Sequence, residues 1–188
     1  MMRRVWAASV LGAVLAWPGQ AAGLPRPAPE FVIRNQAGQA LLSQFRGKVV
    51  LLAFIHTTCP HCQNSIGILS RIQNEYGTKG LQVLASAFDE LAPQALPEFV
   101  TRFRPTFPVG YASRSTIHDY LQIASNVPFN VPIYLFIDKK GVIQAQHMGG
   151  GKFFQDEERN TRITIDALLK EPAAPGKSGK KKPAPPGR

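Results

Sequence analysis

The stretch that decides the fold reads KVVLLAFIHTTCPHC and spans residues 48–62. Residues 48–56 form a nearly continuous apolar run, which is typical of a central strand covered on both faces. The run leads directly to Cys59 and Cys62, the only cysteines among the 188 residues. A structural disulfide usually closes a longer loop than this, so the pair indicates chemistry rather than mechanical cross-linking.

A helix is predicted to follow the run, from Pro60 to about Tyr76. Apolar residues recur there with the spacing of one helical face, at Ile66, Leu69, Ile72 and Tyr76. Gly77 and Gly80 are expected to end this helix.

The rest of the chain alternates strand-like and helix-like segments. In order, we predict a strand at 81–88, a helix at 93–103, a short helix at 115–123 capped by Ser115, and strands at 133–138 and 142–147 joined by a glycine turn. A last helix is predicted to follow. Its apolar side is formed by Ile163, Ile165, Leu168 and Leu169, and three acidic residues lie near its start, where they suit the helix dipole: Asp156, Glu157 and Glu158. A strand-helix-strand crossover followed by a hairpin predicts an α/β fold with a central mixed β-sheet flanked by helices.

The two ends of the chain differ in composition from this body. Residues 1–23 combine Arg3 and Arg4 with an apolar run and a stretch of small residues, which predicts a secretory signal peptide; retention as a short membrane anchor is the alternative. Residues 171–188, rich in proline, glycine and lysine, predict a disordered tail. Residues 24–170 are then one domain.

The net charge of +10 is concentrated in these ends. The signal segment carries +2 and the tail +4, which leaves +4 for the domain. A mild charge spread over an exported domain does not favour a nucleic-acid partner. Residues 180–182 of the tail are expected to stay solvated, with weak contact to an anionic membrane surface as the alternative.

Two cysteines separated by two residues can cycle between a dithiol and a disulfide. Cys59 is predicted to lie where the strand ends and the helix begins, where unpaired N–H groups favour its thiolate. Cys62, one turn inside the helix, is expected to be more buried and to act as the resolving sulfur. Pro60 suits the first helical turn, and an imidazole at His61 can stabilise the Cys59 thiolate, although a simple exposed spacer is the alternative.

With these elements in place, residues 29–169 resemble the thioredoxin superfamily, and within it the exported TlpA-like and ResA-like thiol-disulfide proteins. The segments that carry the resemblance are residues 29–62, LQVLASAFDE at 81–90 and NVPIYLFIDKKGVIQ at 130–144. The resemblance implies a thioredoxin-like fold. It also implies that Pro132 is a cis proline lying against the reactive cysteines, and that Val131 and Thr58 contact the substrate.

Several residues depart from the patterns of these relatives. Thr58 stands where a tryptophan is usual, and the acidic residue that TlpA-like proteins often carry after the second cysteine falls on Gln63, Asn64 or Ser65. The buried acid of thioredoxin itself falls near Ala53, so no proton acceptor for Cys62 is assigned. The Pro60-His61 dipeptide and the valine before Pro132 instead resemble the oxidant DsbA. Both directions of electron flow therefore stay open.

The expected function is that of an exported thiol-disulfide oxidoreductase. Its expected partners are protein thiols and disulfides together with a membrane or periplasmic redox protein, and we expect a monomer in the periplasm or another extracytoplasmic space. No cofactor or metal is expected beyond the Cys59–Cys62 pair.

Two other classes share the general scaffold. A copper or zinc chaperone of the Sco type would use Cys59, Cys62 and a histidine, either His56 or His147. In proteins of that type, however, three residues separate the two cysteines, whereas here two residues separate them. A peroxiredoxin would carry a proline six or seven residues before the reactive cysteine and a threonine three residues before it, but here His56 stands at the threonine position and no proline closely precedes Cys59.

Overall fold

A computed structural model describes residues 23–36, 38–124 and 126–172. Its regular elements are β1 (Arg26–Pro27), β2 (Val32–Asn35), β3 (Gly38–Leu41), β4 (Val49–Ile55), α1 (Pro60–Tyr76), β5 (Leu81–Ala87), α2 (Ala92–Phe103), β6 (Val109–Tyr111), α3 (Arg114–Leu121), β7 (Ile133–Ile137), β8 (Val142–His147) and α4 (Glu157–Lys170). The signal segment predicted at 1–23 and the tail predicted at 171–188 fall almost wholly outside the described residues. Those two domain boundaries therefore stay predictions.

The strands form one mixed sheet with β4 near its centre. Their order is β1-β8-β7-β4-β5-β6-β2-β3. β4 runs parallel to β5 and antiparallel to β7, and its register pairs Ala53 with Ala85 on one side and with Tyr134 on the other. The predicted α/β fold with a central mixed sheet is confirmed.

β4 joins two apolar cores because its side chains alternate between the faces of the sheet. All seven of its residues are buried. Val49, Leu51, Ala53 and Ile55 pack with α1, α2 and α4, whereas Val50, Leu52 and Phe54 pack with α3 and the segment before β2. A strand buried on both sides reads as an unbroken apolar run, which is why this one was predictable.

Three local predictions were wrong. The cap of α3 is Ser113 rather than Ser115, since the Ser113 hydroxyl accepts a hydrogen bond from the Thr116 N–H at 3.1 Å. The helix also ends at Leu121, because Gln122 adopts a left-handed conformation. Ile163, predicted on the apolar side of α4, is 55% exposed, while Ile165 and Leu168 are buried.

Four short strands were not predicted from the sequence: β1, β2, β3 and β6. Each has two to four residues and takes its conformation from pairing with neighbours, as when β2 pairs with both β3 and β6. Within the described ranges, none of the helices is both long and apolar enough to span a bilayer.

Candidate functional site

Cys59 lies at the junction that the sequence predicted, between the end of β4 and the start of α1. It is the N-cap residue of α1, and its Sγ accepts a hydrogen bond from the Cys62 N–H at 3.4 Å. Pro60 occupies the first turn, where its lack of an N–H costs no helical hydrogen bond. The Cys59 sulfur therefore lies at the N-terminal end of α1, where one backbone N–H of the helix donates to it.

The loop in front of Cys59 is fixed by the carboxylate of Asp89, which follows β5. Asp89 accepts hydrogen bonds from the Thr57 N–H at 2.6 Å and from the Thr57 hydroxyl at 2.8 Å. Gln63, in the first turn of α1, donates to the Thr57 carbonyl at 2.9 Å. The parallel pairing of β4 and β5 brings both strand ends to the same edge of the sheet, so the strand order itself sets this clamp.

Cys62 is completely buried, whereas Cys59 is partly exposed. Burial raises the pKa of the Cys62 thiol far above its usual range, and the neighbouring Cys59 and Glu157 act in the same direction. Both cysteines are free thiols. The two sulfurs are therefore unlike: one is accessible from solution, and the other keeps its proton until something removes it.

Beside Cys59 opens a cavity of about 610 Å³. Its lining comes from the end of β4, the start of α1, the segment before β7 and the segment leading into α4, and includes Cys59, His61, Val131, Pro132, Phe154 and Glu157. The Val131–Pro132 peptide bond is cis. Three of the residues predicted from the sequence for the site, His61, Val131 and Pro132, line the cavity next to Cys59.

The segment before β7 leaves one backbone unit free. Among the described residues, the N–H and carbonyl of Val131 make no hydrogen bond, while the neighbouring Asn130 carbonyl accepts from the Gly149 N–H at 3.1 Å. Gly149 lies so close that a Cβ there would be 2.5 Å from the Val131 oxygen. A glycine at this position lets the β8 end support the Val131–Pro132 segment from behind.

Of the other predicted residues, only His56 lines the cavity. Thr58 and Pro60 are exposed but do not line it. His56 does line it, and burial lowers the pKa of its imidazole. His147 stacks on Phe153 with ring centroids 4.0 Å apart and borders a different depression, so it does not join the cysteines. In the described part of the chain, no three His, Cys, Asp or Glu side chains form a cluster suited to a metal ion.

Glu157 and Tyr134 belong to the site although sequence reasoning did not assign them to it. Glu157, at the start of α4, lines the cavity and accepts a hydrogen bond from the buried Tyr134 hydroxyl at 2.5 Å. The acidic start of α4 was visible in the sequence, but nothing in the pattern indicated that this helix begins beside the cysteines. Only the tertiary fold provides that information.

One protein family and several known proteins resemble this chain in sequence. Residues 24–146 match the model of the AhpC/TSA family. The thioredoxin-like protein YneN of Bacillus subtilis is 32% identical over 125 residues, which cover 65% of this chain and 69% of YneN. The thiol-disulfide oxidoreductase ResA of Bacillus thuringiensis subsp. konkukian is 29% identical over 140 residues, or 74% of this chain and 78% of ResA.

A solved structure gives the same fold. The crystal structure assigned as the thiol:disulfide interchange protein DsbE of Chlorobium tepidum superposes with a TM-score of 0.67 at 24% identity and covers 77% of this chain and 96% of that one. The thioredoxin-like fold implied by the sequence resemblance is therefore confirmed.

Proposed function

Because the chain belongs to the AhpC/TSA family, we propose that it is a thiol-disulfide oxidoreductase, which exchanges electrons with protein thiols and disulfides through Cys59 and Cys62. One observation carries the proposal: a partly exposed sulfur caps α1 beside an open cavity, and a second sulfur is sealed one turn further along. The name of the ResA relative, a thiol-disulfide oxidoreductase, supports the same reaction.

The reaction proceeds through a mixed disulfide. In the reducing direction, the Cys59 thiolate attacks one sulfur of a partner disulfide, a Cys59–partner bond forms, and the other partner sulfur leaves as a thiolate and takes up a proton. Cys62 then loses its proton and attacks Cys59 Sγ. The Cys59–Cys62 disulfide forms, the second partner sulfur leaves, and the partner has gained two electrons. The oxidising direction is the same sequence reversed.

The walls of the cavity support roles for the predicted substrate-binding residues. The unpaired N–H and carbonyl of Val131 are available to pair with an extended partner peptide, which would bring its sulfur to Cys59. Pro132 holds this segment against the cavity, and the exposed His61 supplies a polar group next to the attacking sulfur. Thr58 contacts a partner only at the rim, since it lies outside the lining.

The cellular setting remains a set of proposals. We propose export through the signal at 1–23, action as a monomer in the periplasm or a comparable extracytoplasmic space, and exchange with a membrane or periplasmic redox protein. No cofactor beyond the cysteine pair is needed for the reaction as written. Residues 180–182 would at most give weak contact with an anionic membrane surface.

The two cysteines provide the test. Cys59→Ser should abolish exchange with a disulfide peptide, whereas Cys62→Ser should accumulate a mixed disulfide visible by mass spectrometry. Exchange that persists in Cys59→Ser would overturn the proposal. The reduction potential then gives the direction: about −120 mV would make the protein an oxidant, and about −270 mV a reductant.

A further inference from the structure

The resolving step leaves a proton to be removed from Cys62, and the usual acceptor is missing. The acid that TlpA-like proteins often carry just after the second cysteine falls on one of three residues here: Gln63 is bonded to the Thr57 carbonyl, Asn64 is exposed, and Ser65 is fully buried but neutral. Ala53, where thioredoxin keeps a buried acid, cannot accept a proton either. A thiol with a raised pKa in an apolar core would therefore react slowly without another base.

The register of the sheet puts a replacement next to Ala53. Tyr134 pairs with Ala53 across β4 and β7 and lies in the same core as Cys62. Tyr134 is fully buried, and its hydroxyl donates to Glu157 Oε1 at 2.5 Å. Burial raises the pKa of both the Tyr134 hydroxyl and the Cys62 thiol, Glu157 raises both further, and Cys62 acts on Tyr134 in the same direction, so the three groups lie within electrostatic reach of one another.

Glu157 is suited to pass a proton on. Its side chain is only partly buried and lines the cavity that opens to solvent beside Cys59. Next to it in the sequence, Glu158 is paired with Arg71 and Arg162, but within the described residues Glu157 takes part in no ion pair. Among these residues no cation occupies the Glu157 oxygens, which leaves them open to accept a proton from a neighbouring group.

We propose that Glu157 is the proton acceptor for Cys62, acting through the hydroxyl of Tyr134. The inference rests on the proposed function. As the Cys62 sulfur attacks Cys59 Sγ, the Cys62 proton passes to the Tyr134 oxygen while the Tyr134 proton passes to Glu157 Oε1. Glu157 then releases the proton through the cavity. When electrons flow the other way, protonated Glu157 returns the proton along the same path to the leaving Cys62 sulfur. The acid that relatives place on α1 is thus supplied here from α4.

The test separates the two chemical steps with DTNB, a small aromatic disulfide that releases a coloured thiolate. The reduced protein should release one equivalent when Cys59 attacks and a second when Cys62 resolves the mixed disulfide. In Glu157→Gln, we expect the first phase to keep its rate and the second to slow on the order of 10²-fold, the size typical of general-base catalysis. Tyr134→Phe, which keeps the ring, should slow the same phase.

A pH profile distinguishes proton transfer from a structural effect. The second phase of Glu157→Gln should recover as the pH rises, because hydroxide then removes the Cys62 proton directly. The other titratable groups at the cavity, His56, His61 and Cys59, are unchanged in this variant. Glu158→Gln is the matched control, and it should keep both phases because Glu158 faces Arg71 and Arg162.

The possible failures are separable. If the wild-type protein shows no second phase, the oxidoreductase function itself fails. If the wild type shows both phases and Glu157→Gln resolves at the wild-type rate, the proton acceptor is wrong while the function stands. A wild-type second phase in Tyr134→Phe would overturn the relay.

Discussion

Replacing Gly149 by alanine tests how the β8 end supports the segment that borders Cys59. A Cβ at this position would lie 2.5 Å from the Val131 oxygen and 2.6 Å from the Val131 carbonyl carbon. Carbon atoms in contact prefer a separation of about 3.5–4.0 Å, so the segment must move by about 1 Å. The obstructing atoms are backbone and cannot swing aside as a side chain would.

The expected result has two parts. Overpacking of this kind costs about 1–3 kcal/mol of unfolding free energy, and thermal unfolding should show it as a shift of about 2–4 °C for each kcal/mol. A displacement of about 1 Å can lower a rate on the order of 10²-fold when geometry matters. We expect that loss with a disulfide-bonded peptide, whose backbone we propose to pair with Val131, and a much smaller loss with DTNB, which has no peptide backbone.

Gly67→Ala serves as the matched control for this substitution. Gly67 is exposed on α1, and the atom nearest to its added Cβ is Arg71 Nη1 at 3.9 Å. Alanine should stabilise the helix there by roughly 0.5–1 kcal/mol and leave both rates unchanged. If Gly149→Ala reduced the peptide as fast as the wild type, the claimed support of Val131 would be refuted.

Two further predictions concern the loop in front of Cys59 and the half-buried histidines His56 and His147. Asp89→Ala leaves the buried Thr57 N–H without its acceptor and should lower the unfolding free energy by about 1–3 kcal/mol in urea titrations; an unchanged midpoint would contradict the clamp. Burial lowers the pKa of His56 and of His147, so the unfolded chain binds more protons than the folded one below a pH of about 6.5, and stability should fall as the pH is lowered through this window. His147→Gln should weaken this dependence of the unfolding free energy on pH. If the variant lost stability with falling pH as steeply as the wild type, the lowered pKa of His147 would be contradicted.

The sequence was most informative where a segment is buried by its own pattern. β4 and α1 were predicted to within a residue because their apolar residues follow the periods of a doubly covered strand and of an amphipathic helix. The position of Cys59 at the helix start followed directly from those two elements. The burial of Cys62 followed as well, because a residue one turn into this helix, on its apolar side, packs into the core.

Features that depend on distant pairing could not be predicted in this way. β6 has three residues and exists because β5 and β2 flank it. Glu157 meets Tyr134 only because the fold brings the first residue of α4 against β7, a relation that no local pattern encodes. Ser113 and Ser115 are both plausible caps by residue type, and the hydrogen bond to Thr116 decides between them.

The antiparallel pairing of β4 with β7 has a practical consequence for capturing partners. The turn that joins β7 to β8 lies at the opposite pole of the sheet from Cys59, since Ile137 pairs with Val50 near the start of β4, and β4 is about 20 Å long. Lys140 is exposed in that turn, and Asp138 binds the N–H groups of Lys140 and Val142, which keeps the turn in shape. Immobilising the protein on a resin through Lys140 would therefore leave Cys59 and its cavity facing the bulk solution, where a large partner protein can reach them.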